Sequence, residues 1–389
     1  MLWIYSLHWK PKIWNIMLQE PLFKSYLIGG FECADHINRH GVRVNLLKET
    51  QHDLRVEEDF RLLQELDIKT VREGICWSQV EKMPYEYDFS EVLQRLNAAQ
   101  KLGMQVIWDL IHFGYPDGLF PTHPQFAPRF VGLCRAFAEF YRKNASDPLL
   151  VVPVNEISFL SWFSGEDRGT VPYAVHSGWD IKYHLCRAAI SGIEALKEIL
   201  PDCKIVMVEP LVKIHCNGDE PEHLIRKNEY QFEAMDIIGG RLCPELGGKD
   251  EYLEILGFNY YWNCQWKGEG ESLCWPNPDR TPLHELLLSA YERYRKPMFL
   301  SETGHFGEGR GMWLEEIANE CRIAHEKGID FHGICLYPVT DRPDWDNLQH
   351  YHNSGIFDFD LAGNRIPNEE YMAAILKHQD ELAGTSAYY

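Results

Sequence analysis

The sequence predicts one α/β domain, a (β/α)8 TIM barrel with irregular loops after its strands. Eight short apolar, β-branched runs alternate with longer amphipathic stretches along the 389 residues. Continuous apolar strands separated by helical segments are typical of a parallel sheet that is covered on both faces. Eight such units suggest a closed barrel, and barrels of this length occur as a single domain. We see no internal repeat and no linker that would divide the chain.

The predicted strands are short, and each is followed by a loop or a helical pattern. In chain order the strands are Leu27–Cys33, Thr70–Trp77, Gln105–His112, Leu149–Asn155, Lys204–Val208, Leu253–Tyr260, Pro297–Glu302 and Gly333–Tyr337. The helical patterns between them include Glu57–Leu66, Phe89–Leu102, Phe126–Asn144, Ile181–Leu200, Leu283–Tyr294 and Trp313–Lys327. Gly103 and Gly328 follow two of these helices, where glycine favours a left-handed cap. The stretch Cys216–Gly248 lacks a regular pattern and is predicted to be loop.

The ends of the chain and its cysteines indicate a cytoplasmic protein. Residues 1–24 are predicted to be an N-terminal extension, and residues 25–389 the barrel. Lys10 and Lys12 interrupt the apolar N-terminus, so it is not expected to be a signal peptide. No stretch is long and apolar enough for a membrane span. The eleven cysteines are scattered without a CxxC pair, which favours reduced thiols over disulfides or a zinc site.

The charge balance excludes some classes of partner. The chain has 58 acidic residues against 38 lysines and arginines, a formal net charge of −20. Nucleic acids and anionic membranes need clustered cations, so neither is expected as a partner. The same balance favours a neutral or cationic substrate over a phosphorylated one. The sequence does not indicate an oligomeric state.

Polar and aromatic residues follow nearly every predicted strand. In a barrel of this class the active site lies at the carboxyl ends of the strands, so these residues are expected to share one mouth. Carboxylates, amides and aromatic rings are what a sugar site uses. The residues are Glu32, Asp35, His36, Arg72, Asp109, His112, Asn155, Glu156, Glu209, Asn259, Tyr260, Tyr261, Glu302, Tyr337, Asp341, Asp344 and Trp345.

Two of these carboxylates are the candidate catalytic pair. Glu156 ends the fourth strand and Glu302 ends the seventh, so they face each other across the mouth. Retaining glycosidases hold two carboxyl groups about 5–5.5 Å apart, one as nucleophile and one as acid/base. Inverting enzymes separate them further to admit a water.

At these positions the chain resembles glycoside hydrolase family 1 and, more broadly, the clan A retaining glycosidases. Six short motifs match in the family's order, between about residues 70 and 345. Its RxSISWxRI resembles 72–80, YHWDLP resembles 111–116, TxNEP resembles 153–157, GxNYY matches 257–261, TENG resembles 301–304 and WSLxDNFEW resembles 337–345. The departures are Ile157 for the family's proline, Tyr337 for its tryptophan, Asp344 for its glutamate, and Glu32 or His36 in place of its strand-one glutamine.

The resemblance implies a role for each matched residue. Glu302 would be the nucleophile and Glu156 the general acid/base. Arg72 and Tyr261 would orient the nucleophile. Substrate binding is implied for Glu32, His112, Asn155, Tyr261, Asp344 and Trp345. The implied reaction is hydrolysis of a β-linked O-glycoside, either a small molecule or an oligosaccharide, through a covalent glycosyl-enzyme intermediate, with transfer to an acceptor sugar as a variant.

Other functions stay open on the sequence alone. A dedicated transglycosylase or a non-hydrolytic sugar-binding barrel would share the fold, and Glu209 is expected to be structural. Asp109 and His112 could suggest a metal-dependent hydrolase, but the sequence has no HExxH motif and no Cys/His set. The glycine-rich 306–311 segment lacks a phosphate-loop pattern and is expected to be a rim loop. No cofactor and no metal are predicted.

Overall fold

The structure, a computed structural model, describes residues 21–216, 222–268 and 270–386. Eight parallel strands close into a barrel in which each strand pairs with the next and the last pairs with the first. This confirms the predicted fold class. The strands are β1 (Leu27–Gly30), β2 (Thr70–Gly74), β3 (Gln105–Asp109), β4 (Leu150–Val152), β5 (Lys204–Pro210), β6 (Ile255–Asn259), β7 (Met298–Thr303) and β8 (Phe331–Leu336).

One principal helix follows each strand and covers the outside of the barrel. In α3, the buried residues Phe130, Leu133 and Phe137 recur three or four positions apart, so they form one apolar stripe. The left-handed φ of Gly103 after α2 and of Gly328 after α7 is as predicted. The helices are α1 (His52–Glu65), α2 (Ser90–Leu102), α3 (Phe126–Asn144), α4 (Gly178–Ile199), α5 (Glu233–Ile238), α6 (Leu283–Tyr294), α7 (Gly309–Glu326) and α8 (Glu369–Ser386).

The loops between the strands and the principal helices carry further short elements. The helix Ile157–Gly165 follows β4 directly, and Glu222–Glu229 precedes α5. The remaining ones are the helices Leu46–Glu49 and Trp77–Val80, the 3-10 turns Tyr230–Phe232, Pro244–Leu246 and Asp250–Tyr252, the hairpins Glu81–Met83 with Glu86–Tyr87 and Phe357–Phe359 with Arg365–Pro367, and the small sheet of Lys213–His215, Gln265–Lys267 and Glu271–Ser272.

Two details of the sequence prediction were wrong. The segment Cys216–Gly248 contains helices, which periodicity missed because Glu222–Glu229 buries only Leu224 and shows no apolar stripe. Several strands also end before their apolar runs do, as β3 does at Asp109 rather than His112. There the chain leaves the sheet while its side chains stay buried around the mouth.

Residues 21–24 close the amino end of the barrel. Phe23 is buried, and its ring lies 4.9 Å from that of Phe299 inside the barrel. The backbone N–H of Lys24 donates to Thr70 Oγ1 at 3.0 Å and to Gln105 Oε1 at 2.9 Å. These four residues therefore pack with the barrel. The rest of the predicted extension, residues 1–20, lies outside the described residues, and the single-domain assignment stays a prediction.

A buried ionic cluster joins the first helix, the second strand and the hairpin before α8. His52 Nδ1 lies 2.7 Å from Asp59 Oδ2, and its Nε2 lies 2.7 Å from Glu73 Oε1. Arg365 donates to both oxygens of Asp59, at 2.6 and 2.8 Å. Arg95 Nε lies 3.4 Å from Glu73. All five side chains are essentially inaccessible to solvent, so we call this set the His52 cluster.

Two further observations concern membrane-spanning helices and the oxidation state of the cysteines. In the part of the chain that the structure describes, no helix has the length and apolarity needed to cross a membrane. The cysteines, from Cys33 to Cys335, are all free thiols. A cytoplasmic location stays a prediction.

Candidate active site

The guanidinium of Arg72, on β2, is the centre of a buried hydrogen-bond network at the barrel mouth. It donates to Asp109 at 3.0 and 2.6 Å, to Glu302 Oε1 at 2.7 Å and to Asn155 Oδ1 at 2.7 Å. Burial opposes the charge of Arg72, but Asp109 and Glu302 outweigh it and raise the pKa well above its ordinary value. A permanently charged, planar donor therefore fixes three side chains from three other strands.

The carboxylate of Glu302 accepts a hydrogen bond on each oxygen. Besides the bond from Arg72, Tyr261 Oη donates to Oε2 at 2.7 Å. Burial, and then the charge of Glu302, raise the pKa of Tyr261 well above its ordinary value, so the phenol remains a donor. Two donors, one of them cationic, fix the direction of this carboxyl group. The structure thus places Tyr261 and Arg72 where an orienting role requires them.

Glu156 occupies a strained position immediately after β4. Its φ of +47° lies in the left-handed region, which is unfavourable for a residue with a side chain. The backbone is held there because its N–H donates to Val208 O at 3.0 Å and its carbonyl accepts from Leu160 N at 2.8 Å. Asn259 Nδ2 donates to Glu156 Oε1 at 2.8 Å. Burial, and then the charge of Glu302, raise the pKa of Glu156 well above its ordinary value, so this carboxyl group keeps its proton.

A third carboxyl group, Glu209 at the end of β5, supports the turn that carries Glu156. It is fully buried, and its two oxygens accept the N–H of Ser158 at 3.1 and 3.3 Å. Ser158 lies in the first turn of the helix Ile157–Gly165, so Glu209 caps that helix from a neighbouring strand. Burial raises the pKa of Glu209 to about 7. Glu209 was expected to be structural, and its contacts indicate that it holds the first turn of this helix in place.

Replacing Glu209 by glutamine is expected to shift the alkaline limb of the pH profile. The charge of Glu209 contributes to raising the pKa of Glu156, so an uncharged amide should move that limb to lower pH, by up to about one unit. The profile of kcat/KM for a glycoside that needs acid assistance measures this. Glu198→Gln, at an exposed ion pair with Arg135, is the control. An unmoved alkaline limb in Glu209→Gln would contradict the coupling.

The opposite side of the mouth carries a second chain of polar contacts. His112 Nδ1 lies 2.8 Å from Asp109 Oδ2, and its Nε2 lies 3.2 Å from Tyr337 Oη. Tyr337 donates to Glu32 Oε1 at 3.2 Å, and Arg342 Nε lies 3.2 Å from Glu32 Oε2. Burial opposes protonation of His112, but Asp109 raises its pKa. These groups offer donors and acceptors suited to sugar hydroxyls.

The close approach of Tyr337 to the first strand explains a glycine there. A Cβ on Gly30 would lie 2.3 Å from Tyr337 Cδ2, so the ring can pack only against glycine. Tyr337 therefore sits against β1 with its hydroxyl at Glu32.

Asp344 and Trp345 lie at the rim, apart from this network. Asp344 Oδ1 accepts the N–H groups of Asp346 at 2.8 Å and Asn347 at 3.0 Å, which fixes a tight turn. Trp345 packs edge-on against His36, with ring centroids 4.7 Å apart, and against Phe113 at 5.2 Å. Their predicted role in substrate binding stays a prediction.

One group of potential metal ligands exists in the described parts of the chain. Atoms of Cys33, Asp109 and His112 all lie within 4.8 Å of one another. The Asp109 carboxylate already accepts two bonds from Arg72 and contacts His112. A cation here would face a buried guanidinium, so these residues do not fit a metal.

Sequence reasoning missed one residue of the site, Arg342, and gave no specific role to three others. Asp109 and Asn259 lie near the carboxyl ends of predicted strands, which is why both were expected at the mouth. Tyr337 was visible as a departure from a motif. Arg342 lies in a loop without periodicity, and nothing in its sequence context indicated a contact with Glu32.

The comparisons with known proteins concern the fold and the class of protein. No family model matches the chain. A 6-phospho-beta-glucosidase of Clostridium longisporum is 22% identical over 391 residues, covering 86% of this chain and 82% of its own. A beta-glucosidase from Thermotoga maritima in complex with glucoimidazole superposes with a TM-score of 0.73 at 15% identity, covering 92% of this chain and 98% of that one. The fold is that of a family 1 β-glucosidase. A second structure, of the family 1 β-glucosidase from Thermotoga maritima, gives a TM-score of 0.69 at 14% identity, covering 85% of this chain and 87% of that one.

The resemblance to family 1 glycosidases, proposed from six short motifs, is therefore confirmed. The matches extend over most of each chain, so the shared fold covers the barrel as a whole.

Proposed function

We propose that the protein is a retaining glycoside hydrolase that cleaves a β-linked O-glycoside by double displacement. The proposal rests on one observation, which is that the side chains of Glu302 and Glu156 have different hydrogen-bonding environments. Glu302 is held by a cation and a phenol, whereas Glu156 is buried beside another carboxylate with one amide donor. A carboxyl group held by two donors, next to one whose pKa is raised by burial, is the pattern for a nucleophile and an acid.

The proposed reaction has two steps. In the first, a Glu302 oxygen bonds to the anomeric carbon while the bond to the leaving oxygen breaks and Glu156 gives that oxygen its proton. In the second, Glu156 takes a proton from water, whose oxygen attacks the anomeric carbon and displaces Glu302. Asn155, held by Arg72 at 2.7 Å, is proposed to bind the hydroxyl next to the reacting carbon.

We propose a neutral glycone. The two arginines near the far side of the site are already paired, Arg342 with Glu32 and Arg39 with Asp167 and Asp346. A phosphate would have to compete with these carboxylates for its cations. The Clostridium relative is named for a phosphorylated substrate, so direct comparison of a β-glucoside with its 6-phosphate tests this difference.

Turnover of an aryl β-glycoside with retention tests the proposed function. The wild-type protein is expected to release p-nitrophenol from a β-glucoside or β-galactoside, and proton NMR should show the β anomer of the sugar first. Dialysis against a chelator should leave the rate unchanged. A first-formed α anomer would indicate inversion. Saturable sugar binding without turnover over days would instead favour a binding protein.

A further inference from the structure

Ser301 lies immediately before Glu302 on β7, and its side chain is fully buried. Its hydroxyl contacts the amide of Asn259 at the end of β6, where Ser301 Oγ lies 2.6 Å from Asn259 Oδ1. The other end of the same amide contacts the proposed acid, since Asn259 Nδ2 lies 2.8 Å from Glu156 Oε1. One buried amide group therefore connects Ser301 to Glu156.

The orientation of the Asn259 amide follows from a donor that cannot reverse its role. Arg72 has only N–H donors, and it donates to Asn155 Oδ1 at 2.7 Å, so that Asn155 atom is an oxygen. The Asn259 atom that lies 3.5 Å from Asn155 Oδ1 and 2.8 Å from Glu156 Oε1 is therefore the NH2 nitrogen, because an oxygen there would be repelled by both. The Asn259 oxygen then faces Ser301, and the Ser301 hydroxyl is the donor of that bond.

Ser301 is held in place by contacts on two neighbouring strands. On β6, a Cβ added to Gly257 would lie 2.6 Å from Ser301 Oγ and 2.7 Å from Ser301 Cβ, so a larger residue at 257 would displace the serine. On β2, Arg72 donates to the backbone carbonyl of Ser301 at 3.0 Å. The serine is therefore fixed at the position from which its hydroxyl reaches Asn259.

The orientation of the amide decides which oxygen of Glu156 holds its proton. Oε1 accepts the N–H of Asn259, and the carbonyl oxygen of a neutral carboxyl group is a much better acceptor than its hydroxyl oxygen. The proton therefore belongs on Oε2. Among the described residues no hydrogen bond engages Oε2, and Glu156 keeps 9% of its surface exposed. Oε2 is thus the oxygen that a leaving group can reach.

We propose that Ser301 and Asn259 are positioning residues that keep the acid proton on Oε2 of Glu156. The inference rests on the proposed hydrolase function and adds the route of the proton. As the glycosidic bond breaks, the O–H bond at Oε2 breaks too and the leaving oxygen takes that proton, while Oε1 keeps the bond from Asn259. The same N–H then stabilises the carboxylate that remains. If the amide turned over, its oxygen would instead accept a proton from Oε1, and Oε2 would have none to give.

Replacing Ser301 by alanine removes the donor of the Asn259 oxygen, and the buried amide regains a partner for that oxygen only by turning it toward Glu156. Proton donation should then suffer, so we expect kcat/KM to fall about tenfold for an aryl β-glycoside with a poor leaving group and less than about threefold for a dinitrophenyl glycoside. Ser301→Thr keeps a hydroxyl and should restore most of the loss. Ser164→Ala is the matched control, because Ser164 is also fully buried and its hydroxyl donates to Leu160 O at 2.6 Å, outside the site.

The pH profile of Ser301→Ala supplies a readout that a loss of stability alone would not move. Burial and the charges of Glu302 and Glu209 raise the pKa of Glu156, whereas the bond from Asn259 and the charge of Arg72 lower it. The variant changes no charge but withdraws the Asn259 bond, so the alkaline limb of kcat/KM should move to higher pH, by about half a unit. This shift is opposite in sign to the one expected for Glu209→Gln. An equal loss for both leaving groups, or a limb that stays in place, would overturn the proposal.

Neutron diffraction from deuterium-exchanged crystals of the wild-type protein separates failure of this inference from failure of the proposed function, because it needs neither turnover nor a variant. At about pH 5, above the ordinary pKa of a glutamic acid, we expect deuterium on Glu156 Oε2 and a Ser301 hydroxyl directed at the Asn259 oxygen. Deuterium on Oε1, deuterium on neither oxygen, or an Asn259 oxygen facing Glu156 would overturn the inference. The expected deuterium positions in a protein that hydrolyses no glycoside would support the proton placement and reject the proposed function.

Discussion

Replacing Glu302 by glycine is expected to lower kcat by a factor on the order of 10⁴ to 10⁶, the range that follows removal of a nucleophile that forms a covalent intermediate. Arg72 and Tyr261 would then lack the carboxylate they hold at 2.7 Å each. Azide can occupy the space left by the side chain and attack the anomeric carbon of an aryl glycoside with an activated leaving group. Product analysis by NMR should identify an α-glycosyl azide.

The matching variant is Glu156→Gln, which removes the proposed proton donor but leaves the nucleophile. General acid catalysis contributes about 10²- to 10⁴-fold, so this loss should be large for a poor leaving group and small for an activated one. The two variants therefore separate the two roles. Undiminished activity in Glu302→Gly, or a β-glycosyl azide as its product, would show that the nucleophile is assigned wrongly.

Replacing His52 by alanine is expected to lower the free energy of unfolding by about 3–5 kcal/mol, because it leaves Asp59 and Glu73 buried without a shared partner. The ring lies 2.7 Å from each carboxylate and stacks on Phe31 at 3.7 Å. Urea denaturation of the wild type and the variant at pH 6 measures the difference. Arg135→Ala, at an exposed ion pair with Glu198, should leave the midpoint unchanged.

The contribution of His52 should depend on pH in a defined direction. Burial would lower the pKa of His52, but Glu73 and Asp59 outweigh burial and raise it above the ordinary value of 6.5. Its stabilisation is therefore complete below about pH 6.5 and is lost as the pH rises through the folded-state value. The gap between wild type and His52→Ala should narrow on the alkaline side. A gap that widens there would contradict a protonated His52.

The sequence predicted the barrel well because its strands are continuous apolar runs, and each run places its last residues at the mouth. Asn155, Glu156, Tyr261 and Glu302 follow this rule, whereas Arg72 lies within its run, and the structure brings all five together. Local patterns carry no information on partners far apart in the chain. Asp59 and Arg365, which meet in the His52 cluster, are 306 residues apart.

The positions of the loop residues in the site were harder to predict from the sequence. The position of Arg342 depends on how the chain turns after β8, and that path is set by packing against Trp345 and Glu32 rather than by periodicity. The capping of the helix after Glu156 by Glu209 is of the same kind, since the two residues meet only once their neighbouring strands pair. Asp344 had a matching position in a motif, yet its carboxylate is engaged by its own turn.

The contact between Tyr337 and Glu32 joins the last strand of the barrel to the first. Leu27, Ile28 and Gly29 pair with Ile334, Cys335 and Leu336 along the same seam. During synthesis the first strand leaves the ribosome long before the last, so this side of the mouth cannot assemble until almost the whole chain has been made. Fragments that end before residue 337 should therefore be inert. Activity is therefore expected only from chains whose synthesis is complete.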